Sequence, residues 1–337
     1  MMMNMGGISI NKFEHKKIKV YVAGHKGMVG SSLVRLLKKE ENCQLILKSK
    51  NDLDLTDSEA VYKFLKNELP NQIYIAAARV GGIYANNNYP AEFIYENIMI
   101  QSNIIHNAWK LGIKKILFLG SSCIYPSGIS ERINESDLMT GSLEKTNEPY
   151  SIAKISGIKL CESYNRQHQT DFRAAMPTNL YGYNDNYHPK NSHVIPGLIS
   201  KFHDAKIKDK KTVSVWGSGN VLREFLHVDD LARACYILMN VQKEIFLKHI
   251  ENESPHINIG YGSDITIKDL AFKLSDIIGF KGEINFDSNM PDGVKRKLLN
   301  IDKIQKFGWN PIISLDDGLK LTYQAFQDEN KGYLDET

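Results

Sequence analysis

The chain has 337 residues, enough for about two domains of ordinary size. Its 42 Lys and Arg balance 39 Asp and Glu to a net charge of +3 without long single-sign blocks, which excludes the concentrated basic face of a nucleic-acid or membrane-surface protein. With 42% hydrophobic and 24% charged residues, the composition is that of a globular protein and excludes fibres and extended disorder.

No window nears eighteen consecutive apolar residues, so no membrane-spanning helix is expected. Residues 1–17 lack the apolar core and cleavage site of a secretory signal and read as a disordered N-terminal extension. Cys43, Cys123, Cys161 and Cys235 match no zinc spacing, so no metal site is expected, and a reduced cytoplasmic compartment is.

In chain order, Ile18–Ala23 reads as a strand, Val29–Lys39 as a helix and Leu45–Leu47 as a strand. A helix near Ser58–Asn67, a strand at Ile73–Ala76, a long helix over Ala91–Leu111 and a strand at Lys115–Leu119 follow. A helix from about Pro149 to Arg166 and a strand at Asp171–Met176 complete the series. Strands alternating with helices give βαβ crossovers, hence an α/β, Rossmann-like, doubly wound parallel sheet covered on both faces. Beyond Pro177 the rhythm degrades. Tyr181–His193 has no usable period; Val213–Trp216 and His256–Ile259 read as strands, Asp229–Met239 and Ile267–Ile278 as helices. The basic run Lys206–Lys211 reads as a solvated surface. The expected organisation is a dinucleotide domain over 18–180 with a returning segment near 213–255. A smaller C-terminal α/β substrate domain takes 181–212 and 256–337, closing over the carboxyl ends of the strands, where such sheets bind ligands.

Gly24-His25-Lys26-Gly27-Met28-Val29-Gly30 lies directly between the first strand and the first helix. Gly24 permits the tight turn, Gly27 lets backbone approach a pyrophosphate, and Gly30 lets the helix pack closely; the helix N-terminus supplies free N–H groups. A dinucleotide site over residues 24–30 is expected. An NAD site would carry Asp or Glu about 20 residues after the loop, against the ribose 2′-hydroxyl. This chain has Lys48-Ser49-Lys50 there, with Lys26 near by, and ammonium groups attract a 2′-phosphate. NADP(H) is the expected cofactor.

Tyr150 and Lys154 stand four apart on an expected helix and so share a face. A neighbouring ammonium lowers the pKa of a phenol and fits it for proton transfer. Tyr62 and Lys66 repeat the spacing, but on a helix without a partner motif, and read as scaffold. Ser121, in Gly120-Ser121-Ser122-Cys123, emerges at the carboxyl edge of the fourth strand, where its hydroxyl can meet a substrate carbonyl.

The glycine loop, the Ser after strand four and Tyr-x-x-x-Lys together resemble the extended short-chain dehydrogenase/reductase family. The strings AGHKGMVGSS, AAARVGGIYANN, FLGSSCIYP, NEPYSIAKISGIKLCESYNRQ, MPTNLYG, NSHVIPGLI, WGSGNVLREFLHVDD and PDGVKRKLL, in order from Lys19 to Phe326, resemble its GDP-4-keto-6-deoxymannose 3,5-epimerase-4-reductases. The resemblance implies C3 and C5 epimerisation of GDP-4-keto-6-deoxy-D-mannose, then NADPH-dependent reduction at C4 to GDP-L-fucose, with Tyr150 donating the proton. It assigns the epimerisation acid/base pair to Cys123 and His193. Further cofactor positions implied are Lys50, Asn51, Asp52, Leu53, Asp54 and Leu55, then Leu119, Gly120, Ser121 and Ser122. Lys154, the run Pro177, Thr178, Asn179 and Leu180, and His193 complete that set. Lys201, Trp216, Arg223, Asp292 and Lys297 match positions that hold the GDP-sugar. His227, Asp229 and Asp230 stand out in REFLHVDD, but the aspartates are explained as an N-cap. The family often has Arg where Lys26 and Lys50 stand, and lysine lacks the planar fork. Relatives pair two helices per subunit into a bundle, so a homodimer through the Ala91–Leu111 and Tyr150 helices is expected. A 4,6-dehydratase would show Thr-Asp-Glu after strand four; a 4-epimerase would consume no NADPH, and a cofactor-reading sensor need not keep Tyr150, Lys154, Cys123 and His193 together.

Overall fold

The computed structural model describes residues 17–129, 131–188, 192–250, 254–290 and 292–334, so the expected extension at 1–17 lies outside the described residues apart from Lys17. The chain begins with β1 (Ile18–Ala23), α1 (Met28–Leu37), β2 (Cys43–Ile46), α2 (Ser58–Glu68) and β3 (Gln72–Ile75). A short α3 (Ile83–Asn88) leads into α4 (Pro90–Lys110), then β4 (Lys115–Leu119), α5 (Glu148–His168) and β5 (Asp171–Pro177). Next come β6 (Asn179–Tyr181), α6 (Val194–Ile207), β7 (Thr212–Trp216), β8 (Leu222–Arg223), β9 (Phe225–His227) and α7 (Val228–Asn240). The last part holds α8 (Lys243–Leu247), β10 (His256–Ile259), β11 (Ile265–Thr266), α9 (Ile267–Ile278) and β12 (Glu283–Asp287). After these come β13 (Arg296–Lys297), α10 (Asp302–Lys306) and α11 (Leu315–Leu334).

Six strands form one parallel sheet in the order β10-β5-β4-β3-β1-β2, the doubly wound arrangement expected from the alternation. Right-handed crossovers set α1 on one face, where it packs on α7, and α2, α4 and α5 on the other. Coverage on both faces explains why β3, β5 and β10 are buried at every residue. A second core forms where α6, α9 and α11 meet β7, around Phe202, Leu270, Leu274 and Leu319. Here β7 pairs with β12, and β11-β8-β13 makes a small sheet beside it.

The placement of the two C-terminal strands corrects the expected boundaries. Thr212–Trp216 does not return to the large sheet, and His256–Ile259 does. Burial gives the reason: β7 alternates exposed and buried residues, as a strand with one covered face must, whereas all four residues of β10 are buried. Among the described residues, the short helices α3, α8 and α10 and the longer α6 and α11 had no counterpart in the sequence reading. α6 carries Pro196 in its first turn, where proline costs no hydrogen bond, and buries Ile195, Leu198, Ile199, Phe202 and Ala205. α11 buries Leu319, Tyr323 and Phe326, a stripe thinned in the sequence by Gly318 and two aspartates.

Candidate active site

The loop between β1 and α1 is shaped by two glycines and left open by a third. Gly24 has φ +82, and a Cβ there would lie 2.6 Å from the Ala77 nitrogen; a Cβ on Gly30 would lie 2.1 Å from the Gly24 carbonyl oxygen. Both are packing requirements. Gly27 is different: it is exposed, its φ of −74 suits any residue, and an added Cβ would meet only the Gly24 oxygen at 3.5 Å. Nothing among the described residues demands glycine there, and the open backbone leaves room for a ligand to approach. The first turn of α1 carries no acidic residue and no side-chain cap, which leaves its N–H groups for an anion, and the buried Nδ1 of His25 has no hydrogen-bond partner among the described residues. These features fit the diphosphate of a dinucleotide. Gly30→Ala is expected to unfold or misfold the chain, whereas Gly27→Ala keeps stability within about 1 kcal/mol and lowers NADPH affinity at least about tenfold. Thermal melts and cofactor titration check both; equal damage by the two variants would refute the distinction.

After β2, hydrogen bonds from the Ser49 hydroxyl and N–H hold the Asp52 carboxyl below the usual range, with smaller contributions from Lys48 and, from the glycine loop, Lys26. Lys50 acts likewise on Asp54, which also accepts from Thr56. Of the lysines expected to meet a 2′-phosphate, Lys26 and Lys48 thus share Asp52 as a neighbour and Lys50 neighbours Asp54. Leu53 and Leu55 pack against the core of the large sheet.

The chemical group sits at the carboxyl end of β4. Gly157 lets α5 press against that strand, since a Cβ there would lie 2.5 Å from the Phe118 ring. Lys154 is thereby buried beneath the sheet edge, its Nζ donating to the Leu119 carbonyl at 2.7 Å and lying 5.8 Å from the centre of the Tyr150 ring. Burial lowers its pKa to about 7. Tyr150, one helical turn earlier, stands edge-on to Phe93 at 6.2 Å. Its hydroxyl is hydrogen-bonded with Ser121, which resists the rise that burial and the nearby Cys123 impose on the phenol pKa. The expected lowering by Lys154 was to act together with an oxidised nicotinamide; in the protein alone Lys154 Nζ donates to the Leu119 carbonyl, and burial sets the direction of the phenol pKa. The outcome is a phenol held protonated at neutral pH, which is the form a proton donor needs.

Ser121 also caps the turn Ser122–Ile124, its Oγ accepting from the Cys123 N–H at 3.3 Å. Cys123 lies on that turn and receives a hydrogen bond from Lys297 Nζ at 3.6 Å. Lys297 and Arg223 are direct partners across β13 and β8, so their cationic side chains leave the same face. Arg223 donates to the carbonyls of Leu222 and Asp292. The Asp292 carboxylate is held by Ser218, at the Gly217–Gly219 turn. Trp216 is 56% exposed, which rejects a core role, and Lys201 Nζ lies 5.0 Å from its ring. The structure thus gathers Ser121, Cys123, Tyr150, Lys154 and Lys297, with Arg223 and Asp292 beside them and Lys201 paired with Trp216 on the second core.

His193 is the N-cap residue of α6. Its surface is exposed, and desolvation by the surrounding protein pushes its pKa below the usual imidazole value. No contact among the described residues joins its imidazole to Cys123 or Tyr150. Thr178 and Asn179 both donate to the Glu224 carbonyl, so the amide of Asn179 is committed to the scaffold.

The NAD dependent epimerase/dehydratase family model matches residues 20–260, the span that carries this whole group except Asp292 and Lys297. The chain belongs to that family. Within the family it is similar to GDP-L-fucose synthase of Escherichia coli K12, 51% identical over 94% of this chain and 99% of that one. GDP-L-fucose synthase 1 of Arabidopsis thaliana is 49% identical over 95% of this chain and 96% of its own length. A GDP-mannoheptose C4 reductase from Campylobacter jejuni, solved with NADP bound, superposes with a TM-score of 0.83 at 38% identity, covering 94% and 100% of the two chains. The resemblance read from the motifs is borne out.

The sequence reading misassigned one motif and overlooked several residues. In REFLHVDD the cap of α7 is His227, whose Nδ1 accepts from Asp229 N–H. Asp229 instead pairs with Arg35 and Ser32, and buried Asp230 accepts from Ile312, Ile313 and Arg233. Glu224, wholly buried, holds the backbone of Gly262 and Leu299. Glu144, Asn147 and Arg296 line the small cavity beside Cys123 and Lys297. No local pattern marks them; only the PDGVKRKLL run hinted at Arg296.

Proposed function

We propose that this chain converts GDP-4-keto-6-deoxy-D-mannose to GDP-L-fucose, inverting C3 and C5 and then reducing the C4 ketone with NADPH. The observation that carries the reading is the convergence of Ser121, Cys123, Tyr150 and Lys297 on one edge of the sheet, beside a loop whose Gly27 is left open for a diphosphate. Identity near 50% with GDP-L-fucose synthases over almost the full length supports the substrate and the reaction. An NADP-bound relative supports the cofactor.

When NADPH is bound, it supplies the hydride that C4 receives. Residues 24–30 would hold its diphosphate, with Lys26, Lys48 and Lys50 toward the 2′-phosphate. Tyr150 gives its proton to the oxygen at C4, and Ser121 aligns both groups. Lys154 fixes the α5 turn that carries Tyr150. In the preceding steps the C4 ketone acidifies the hydrogens at C3 and C5. A thiol and an imidazole, Cys123 and His193, each take one proton or return one on the opposite face, since both groups exchange protons near neutral pH. Arg223 suits the diphosphate of the GDP-sugar by its planar fork, while Lys201, Trp216 and Asp292 border the same ligand.

The same reading makes residues 18–180 with the β10 strand the cofactor unit, and the second core the substrate unit. It includes a homodimer through α4 and α5, whose outer sides leave Tyr95 and Ile152 exposed. It also places the enzyme in the cytoplasm, where its four free cysteines stay reduced.

Stopped-flow absorbance with GDP-4-keto-6-deoxy-D-mannose tests the whole assignment. NADPH oxidation with a C3- and C5-inverted product is expected, and none with UDP-glucose. Folded, NADPH-binding protein that leaves the keto sugar untouched would reject it.

A further inference from the structure

The contact between Lys297 Nζ and Cys123 Sγ joins two segments that are far apart in the chain and lie in no common sheet. Something else must set their relative position, and the buried polar groups behind them show what does. Asn258 on β10 is fully buried. Its side-chain oxygen accepts from the Tyr125 hydroxyl at 2.5 Å, and Tyr125 is two residues from Cys123. Its side-chain nitrogen donates to the Ile133 carbonyl at 3.0 Å. That same carbonyl accepts from Asn300 N–H at 2.8 Å, and Ile133 N–H donates to the Leu298 carbonyl at 2.8 Å, which locks Ile133 beside Leu299, two residues from Lys297. Glu135 steadies the arrangement, accepting from the Asn258 N–H at 2.9 Å and facing Lys303 at 3.3 Å.

We propose that Asn258 is a positioning residue for epimerisation: one amide, held by Tyr125 through its oxygen and by Ile133 through its nitrogen, sets the register between the segment bearing the thiol and the segment bearing the ammonium. The proposal rests on the reading of Cys123 as an epimerisation acid/base. Every polar atom of the Asn258 side chain is used in the two contacts, and β10, a buried edge strand paired along its whole length with β5, gives the amide a fixed base. Tyr150, Ser121 and the glycine loop draw no contact from this amide, so reduction and cofactor binding are expected to be nearly independent of it.

The test uses the full-length enzyme. Tyr125→Phe removes one hydroxyl; Asn258→Asp keeps the acceptor for Tyr125 and loses the donor to Ile133. Both are expected to slow deuterium incorporation at C3 and C5 from heavy water about tenfold or more, the scale of a displaced acid/base group. The Kd for NADPH is expected within about twofold of wild type, and the share of C4-reduced but non-epimerised product to rise. Cys123→Ser is run in parallel. If exchange survives Cys123→Ser, the acid/base reading falls and this proposal with it. If Cys123→Ser stops exchange while Tyr125→Phe and Asn258→Asp leave it at the wild-type rate, or lower exchange, reduction and NADPH affinity by one common factor, Asn258 has no positioning role.

Discussion

Tyr150→Phe lowers the rate of C4 reduction by about 10²–10⁴-fold, the range a positioned general acid contributes, while the Kd for NADPH stays within about threefold. The substitution leaves the scaffold around the ring in place. The ring keeps its edge-on packing against Phe93, and α5 keeps its seat on β4 because Gly157 and Lys154, not the phenol oxygen, make that contact. What disappears is one O–H group: the proton for the C4 oxygen and one hydrogen bond with Ser121, whose net worth is about 1 kcal/mol. Loss of that bond alone cannot account for a rate change beyond about tenfold. Single-turnover kinetics and NADPH fluorescence titration read the two quantities separately. A large loss of affinity with normal reduction would remove Tyr150 from the proton-donor role.

Cys123→Ser is expected to suppress deuterium incorporation at C3 and C5 by about 10²-fold or more. A serine hydroxyl releases its proton far less readily than a thiol and cannot relay protons to a carbon acid near neutral pH. The exchange of sulfur for oxygen also shortens the side chain's reach toward Lys297, whose ammonium lies 3.6 Å from the sulfur. Reduction uses the phenol and Ser121, so NADPH oxidation persists and yields C4-reduced sugar without inversion. Proton NMR of the product in heavy water distinguishes the outcomes, and wild-type exchange in the variant removes Cys123 from the mechanism. Both substitutions leave the parallel sheet intact: Tyr150 and Cys123 lie at its carboxyl edge, and the core they border is built from other residues.

The two halves of the molecule were unequally legible. In the large sheet, β1, β4 and β10 match the sequence reading residue for residue, because largely buried parallel strands show as short runs rich in apolar and β-branched residues between breakers. In the second core the strands are two to five residues long and covered on one side, so their signal is weak. Even so, β7 was found as a strand and only its sheet was mistaken, since pairing partners leave no mark on a single segment. Likewise the aspartates of REFLHVDD have the composition of caps, and only the docking of Arg35 and of the Ile312–Ile313 backbone onto them reveals other duties.

The sequence by itself determined the doubly wound sheet, the glycine loop and the Tyr150–Lys154 pair. Each is a local pattern: hydrophobic period, glycine spacing or side chains one helical turn apart, all fixed by backbone geometry within a few residues. The tertiary structure alone decided that Lys154 turns to the Leu119 carbonyl, that Lys297 reaches Cys123, and that Asn258 and Glu224 brace the segments between them. Those are pairings across 35 to 174 positions of chain. They form because a buried polar group must find a partner wherever the packed fold offers one, and no rule of sequence spacing specifies where that is.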